Sequence, residues 1–367
     1  MRIVFTLWIA LLFCACSSSR MHVFTASNKQ VSYMGRTLQD ANGNVELISS
    51  AAIAGFEFKG DSCIIQLSNL AGEGDYNYAA IELDNQYKGR LKVSSKLPES
   101  FVIKADKNRD WHVLRIYKAT EAQNGVVVVN RVEALQLKAL PAENFHIEFI
   151  GNSITCGMGN DTREIPCGNG SKWYDQHNAY WSYAPQVARA LHAGFMLSAI
   201  SGAGIYRNWN SDGPTVPQQY ENAYLNTTTK TWQFSNFTPG IVSIALGTND
   251  LSAGDGKTAR AAFDSAVFVN TYLHFIHTIY THYPTTQIVL LTSPMVTGNN
   301  AIMLTGCLKA IQAKANALEN NSDKPIRVFE FSPVTATGCS GHPTIAEHTQ
   351  MAEQLIPFFT SLLQAKK

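Results

Sequence analysis

Two hydrophobic rhythms divide the chain. From about residue 22 to 140, short apolar–polar alternations recur, as in Gly55-Phe56-Glu57-Phe58, Ile81-Glu82-Leu83, Val113-Leu114-Arg115-Ile116-Tyr117 and Val132-Glu133-Ala134-Leu135-Gln136-Leu137. Period-two alternation puts every second side chain on one face of a strand. Turn signals such as Asn42-Gly43, Gly72-Glu73-Gly74-Asp75 and Asn124-Gly125 separate the runs. Many short strands with frequent turns predict an all-β sandwich. The rhythm changes after Leu140-Pro141-Ala142-Glu143-Asn144. Strands are predicted over 145–151, 194–201, 241–246, 288–292 and 326–331, and helices over 181–192, 258–283, 302–318 and 344–363. Helical spacing marks Tyr183, Val187 and Leu191, then Val269, Tyr272, Leu273, Ile276 and Tyr280, then Met351, Leu355, Phe359 and Leu362. Pro357 is expected to kink the last helix. This alternation predicts a mostly parallel sheet with helices on both faces over 144–367.

The first residues follow a different pattern. Arg2 precedes an almost unbroken apolar run from Ile3 to Phe13, too short to span a bilayer comfortably, and Cys14-Ala15-Cys16 and Ser17-Ser18-Ser19 follow. Residues 1–19 resemble a bacterial lipoprotein signal and tether with Cys16 as the lipidated residue; ordinary signal cleavage is the alternative. Either places the mature protein outside the cytoplasm. A lipid there tethers the chain without spanning the membrane.

Composition narrows the function classes only modestly. The 367 residues carry a formal charge of +1, which gives no basis for a nucleic-acid-binding surface. No cysteine spacing resembles a zinc site, and no cofactor is implied. Beyond Cys16 the cysteines are Cys63, Cys156, Cys167, Cys307 and Cys339. Five is odd, so at least one is free or pairs between chains.

Candidate chemistry lies at the strand ends of the second region. The first strand ends at Gly151-Asn152-Ser153, the second at Ser201-Gly202-Ala203-Gly204 and the third at Gly247-Thr248-Asn249-Asp250. A parallel sheet brings these carboxyl ends onto one rim, where ligands bind in open α/β folds. Gly151 is expected to allow a sharp turn. Ser153 can be a nucleophile if a base reaches it. The backbone N–H groups of Ser153 and Gly202 and the amide of Asn249 are suited to an oxyanion hole, with glycine at 202 permitting close approach. Any one cluster alone reads equally well as a Ser- and Asn-rich turn. The base is expected from Gly338-Cys339-Ser340-Gly341-His342-Pro343, between the fifth strand and the last helix; His348 competes but falls inside that helix. Trp173, Tyr174, Trp181, Tyr206, Trp209 and Trp232 crowd the same region. Trp209, with Tyr206, is the preferred sugar platform because it closely follows Gly202.

Gly151-Asn152-Ser153-Ile154-Thr155, Gly202, Gly247-Thr248-Asn249-Asp250 and His342-Pro343 are similar, in order, to the four signature blocks of SGNH (GDSL-like) hydrolases. With the preceding β region, Thr155-Cys156-Gly157-Met158-Gly159 and Ser201-Gly202-Ala203-Gly204-Ile205-Tyr206-Arg207-Asn208, the chain resembles carbohydrate esterase family 2. The resemblance implies a jelly-roll sandwich joined to an SGNH domain, and a serine esterase that removes O-acetyl groups from a polysaccharide of xylan or mannan type, with Ser153 as nucleophile and His342 as base. The alternatives are an SGNH esterase acting on lipid, peptidoglycan or sialic acid esters, and a glycan-binding protein without catalysis.

Two departures stand out. Asn152 replaces the usual Asp before the nucleophile. Ser340 and Cys339 occupy positions where many such enzymes carry the acid that orients the histidine. Some family members use a Ser–His dyad with a backbone carbonyl, which here implies the Ser340 carbonyl; Asp250 reads as structural, and Glu330 and Glu347 are the nearby candidate acids. Proximity to the nucleophile and histidine segments suggests Cys156–Cys167 and Cys307–Cys339 pairs with Cys63 free, although sequence alone does not determine connectivity.

Overall fold

The computed structural model describes residues 20–168, 171–227, 230–318 and 323–364. The signal segment and Cys16 lie outside these residues. His22 to Lys138 forms two antiparallel sheets of six strands each. In one, Val126–Ala134 pairs with Ser62–Leu70; in the other, Trp111–Lys118 pairs with Ile53–Lys59. The predicted alternation is visible over residues 62–67, where Cys63, Ile65 and Leu67 are buried and Ser62, Ile64 and Gln66 partly exposed. Phe56, Phe58, Leu114, Ile116, Val127 and Val129 meet them between the sheets. Burying each such large side chain contributes roughly 1.5–3 kcal/mol, which offsets the chain entropy of ordering the strands.

The second region is a five-stranded parallel sheet. In space the order is Gly194–Ala199, His146–Gly151, Ile241–Ile244, Gln287–Leu291, Arg327–Phe329. The chain therefore starts in His146–Gly151, steps one way to Gly194–Ala199, then reverses. The reversal opens a crevice at the carboxyl end of His146–Gly151, immediately before Ser153. Side chains alternate across the sheet: Phe149, Leu197 and Leu291 share a core with the helices Tyr183–Ala190 and Ile345–Gln364. Ile150, Ile244 and Leu290 face Ser265–His282 and Gly298–Leu318 on the other side. Pro357 does not end the last helix. It sits on an exposed face, so water can satisfy the carbonyl that its missing N–H leaves free.

Buried polar groups join the two regions. Arg36, fully buried and contributed by the sandwich, reaches into the parallel sheet. Its Nη1 and Nη2 donate to the Asn222 and Tyr220 carbonyls at 2.8 Å each, and its Nε donates to Ser198 Oγ at 3.2 Å. Ser198 in turn donates to Glu148, a fully buried carboxylate 3.9 Å from Arg36. Burial pushes the Glu148 carboxyl up, opposed by Arg36 and by hydrogen bonds from Ser198 and Tyr220.

Candidate active site

Ser153 opens a one-turn helix, Ser153–Cys156, directly after the first strand of the parallel sheet. Asn152 caps that turn: its side-chain oxygen accepts the Ile154 N–H at 3.2 Å. Asn caps as well as Asp does, so the replacement costs nothing in local structure. Gly151 is there for a reason other than the expected turn. Its backbone is not left-handed, but an added Cβ would lie 2.1 Å from Thr155 Oγ1.

His342 arrives from a loop 189 residues away, and its Nε2 lies 2.8 Å from Ser153 Oγ. Its Nδ1 lies 3.0 Å from the Ser340 carbonyl. A carbonyl only accepts, so Nδ1 carries the proton and Nε2 offers its lone pair to the serine hydroxyl. Ser340 takes a left-handed conformation, with φ of 54°, which is uncommon outside glycine. Strain of this kind recurs where a backbone is over-determined by its surroundings. Here it accompanies a carbonyl that meets its own neighbour's ring. Burial lowers the His342 pKa below the ordinary histidine value, and the Ser340 carbonyl opposes that. The imidazole is therefore neutral at pH 7, as a base requires.

The candidate acids are elsewhere. Glu330 pairs with Lys309 at 2.7 Å. Glu347 accepts the N–H groups of Thr337 and Thr344 and so braces the histidine loop without touching the ring. Asp250 is buried and accepts the N–H groups of Ile205, Tyr206 and Arg207, fixing the chain after Gly202. The competing His348 is fully buried and accepts the Tyr183 N–H; burial lowers its pKa to about 3, which keeps it neutral.

The three candidate oxyanion donors follow three neighbouring strands of the parallel sheet. Asn249 is held by one amide hydrogen, which donates to the Ala203 carbonyl at 2.7 Å, leaving the other available. The N–H groups of Ser153 and Gly202 have no partner among the described residues. Gly202 takes a φ of 76°, in the left-handed region that favours glycine, and an added Cβ would meet no protein atom within 4 Å.

Beside Gly202 a cleft of about 750 Å³ is lined by Ser201, Asn208, Trp209, Asn210 and, from the sandwich, Gln123. Of the six aromatics, Trp209 and Trp173 are about half exposed. Trp232 and Tyr174 are buried packing residues, and Trp181 packs on Tyr87 and Tyr180. Tyr206 departs from the expected platform: its ring packs on Phe263 and Phe268, and its hydroxyl accepts the Asp264 N–H. It lines an adjoining cleft that shares Asn208, Ser211 and Gly213 with the one beside Trp209.

The cysteine pairing also differs from expectation. Cys167 bonds to Cys339, while Cys63, Cys156 and Cys307 are free and buried. Cys156 is fully buried against Ser50, Glu121 and Ser201, whereas Cys167 lies in an exposed loop. The bridge therefore ties that loop to the histidine loop, where the Cys339 N–H also donates to the Gly159 carbonyl at 2.9 Å. Sequence reasoning missed Glu121 and Gln123 of the sandwich and His177 of the second region, which gather behind Ser201; isolated polar residues far apart in the chain gave no signal. Among the described residues, no group of three or more His, Cys, Asp or Glu is placed to hold a metal ion.

Comparison with known proteins follows the same division. Residues 33–143 match the family model described as Carbohydrate esterase 2 N-terminal, and residues 149–323 match the GDSL-like Lipase/Acylhydrolase family. The chain is 32% identical over 251 residues to the cellulase/esterase CelE of Acetivibrio thermocellus, and spans 29% of that protein's length. It is 26% identical over 351 residues to an acetylxylan esterase / glucomannan deacetylase of Cellvibrio japonicus, covering 92% of this chain and 90% of that one. A family two carbohydrate esterase from Clostridium thermocellum, solved in complex with cellohexaose, superposes with a TM-score of 0.79 at 25% identity, over 91% of this chain and 99% of that one.

Proposed function

The chain belongs to carbohydrate esterase family 2, and we propose that it removes O-acetyl groups from a polysaccharide of xylan or mannan type through an acetyl-enzyme on Ser153. The reading is carried by one observation: His342 Nε2 lies 2.8 Å from Ser153 Oγ while its Nδ1 is held 3.0 Å from a carbonyl. Ser153 Oγ attacks the acetyl carbonyl carbon, and its proton passes to Nε2. The carbonyl oxygen becomes an oxyanion facing the N–H groups of Ser153 and Gly202 and the free amide hydrogen of Asn249. The C–O bond to the sugar then breaks, and the departing oxygen takes the proton from Nε2. Water, activated by the same nitrogen, attacks the acetyl-enzyme and releases acetate. Orientation by a neutral carbonyl stabilises the transient imidazolium less than a carboxylate would.

The polysaccharide class rests on the relatives named above and on the cleft, whose wall of Asn, Gln and Ser around exposed Trp209 suits a neutral polyhydroxylated chain. The Cys167–Cys339 bridge supports an oxidising, extracytoplasmic compartment. The Cys16 tether rests on the sequence alone. The test is acetate release from acetylated xylan, acetylated glucomannan and a simple lipid ester, by the wild type and Ser153→Ala. Release from the polysaccharides that vanishes in the variant is the expected result. Preference for the lipid ester, or no hydrolysis of any acetyl ester, would overturn the assignment; the second outcome would leave a glycan-binding protein.

A further inference from the structure

We propose that Glu121 and Gln123, both on the sandwich, are positioning residues for the oxyanion hole of the other region, an inference that rests on the reading of Ser153 and Gly202 above. Ser201 directly precedes the Gly202 donor, and all three of its hydrogen-bonding groups are held by this one segment. Its N–H donates to Glu121 Oε2 at 3.0 Å, its hydroxyl donates to Glu121 Oε1 at 2.6 Å, and its carbonyl accepts from Gln123 Nε2 at 2.9 Å.

The last bond matters most for chemistry. The Ser201 carbonyl and the Gly202 N–H belong to one planar trans peptide, so they point in opposite directions from a rigid unit. Fixing the oxygen on Gln123 therefore aims the N–H. The turn is also closed by the Ala203 N–H on the Ile200 carbonyl at 3.3 Å and by the Trp209 N–H on the Gly202 carbonyl at 2.8 Å, but neither bond is made by the peptide between Ser201 and Gly202, and the left-handed φ of Gly202 is one that glycine does not hold by itself. A hydrogen bond at the carbonyl also polarises the amide and makes its N–H a stronger donor.

Glu121 anchors the arrangement from behind. It is fully buried, and its Oε1 also accepts His177 Nε2 at 3.0 Å. Burial raises its carboxyl, but the bonds from His177 and Ser201 outweigh that and hold it below the usual carboxylate range. It is thus a fixed anion able to accept several donors at once. Neither Glu121 nor Gln123 hydrogen-bonds Ser153 or His342 among the described residues, so their role is one of aiming rather than proton transfer, although the Glu121 charge also acts on His342 and opposes the lowering of its pKa.

The test uses the full chain and 4-nitrophenyl acetate, a substrate too small to reach along the Gln123 cleft. Gln123→Ala and the isosteric Gln123→Glu are exposed changes. Ser201→Ala removes only the hydroxyl, and Glu121→Gln removes the charge. We expect kcat to fall by about three- to tenfold in Gln123→Ala and Ser201→Ala, and by tenfold or more in Gln123→Glu and Glu121→Gln, with KM within twofold. A kcat within twofold of wild type in Gln123→Glu and Ser201→Ala would overturn the proposal, as would a rise in KM alone. If Glu121→Gln fails to fold, the Gln123 and Ser201 variants decide the matter. A wild type that hydrolyses no acetyl ester would overturn the assignment of Ser153 as well, whereas equal rates in active variants would overturn only this inference.

Discussion

The loop that carries His342 and the loop that carries Gly202 both follow strands of the parallel sheet, yet they are held by different means. The histidine loop is tied by the Cys167–Cys339 bridge across 172 residues and braced at the surface by Glu347. The Gly202 loop has no covalent tie. Two buried carboxylates hold it, Glu121 before the glycine and Asp250 after it. The first device depends on redox state and little on charge; the second depends on charge and is shielded from salt and solvent. The contrast shows that neither loop owes its shape to regular structure of its own.

The largest effect should come from removing the reacting groups. His342→Ala and Ser153→Ala should each lower kcat by roughly 10³- to 10⁶-fold, because members of a unit fail together. Retention of a tenth of wild-type turnover by either would remove that residue from the chemistry. On the other loop, Asn249→Ala should cost roughly 10²–10³ in rate, the loss for one oxyanion donor. Steady-state kinetics on an acetyl ester would show it, and an unchanged rate would take Asn249 out of the hole. Mild reduction, or Cys167→Ser, should lower kcat by about tenfold through looser placement of His342. It should also lower the thermal midpoint, since a loop of that length is worth about 4–5 kcal/mol in the chain-entropy account. If reduction leaves both unchanged, the covalent half of the contrast fails.

Smaller still, Glu347→Ala should slow turnover only a few-fold and Glu330→Ala not at all. A loss near 10⁴ in either, with the fold intact, would reveal a triad acid. The pH profile sharpens the same point without mutation. With His342 as the base and its pKa held below the ordinary value by burial, kcat/KM should rise with pH along a limb centred below about 6.5. A limb centred above pH 7 would require a carboxylate partner that the geometry does not show. Stability has its own sign. His348 is held neutral down to about pH 3, so the unfolded chain binds a proton the native state refuses, and stability should fall as pH drops below about 6.5.

Much of this was legible in the sequence, for definite reasons. Strand and helix periods reported both layers, and the Ser153, Gly202, Asn249 and His342 blocks stand at strand ends that a parallel sheet brings together. The Ser340 carbonyl is implied by the family resemblance, since some members orient the histidine with a backbone carbonyl, and it lies 3.0 Å from Nδ1. What escaped was long-range pairing between regions. Cys167 and Cys339 are 172 residues apart, and only the folded loops bring them together. Glu121 looks like any acidic residue at a strand end until Ser201 folds onto it. Tyr206 followed Gly202 as closely as Trp209 did, but two phenylalanines from a later segment claimed its ring.

Arg36 has a consequence for how such a chain can be inherited. Its guanidinium is the cation that faces Glu148 inside the first strand of the parallel sheet. Breaking a buried pair from one side typically costs about 3–5 kcal/mol, a large part of a domain's net stability. A gene fragment encoding only the parallel-sheet half would carry that debt from birth, with Ser201 also left ungripped. Recombination can therefore place this protein beside new neighbours, but it cannot readily split the sandwich from its partner; the heritable unit is the pair.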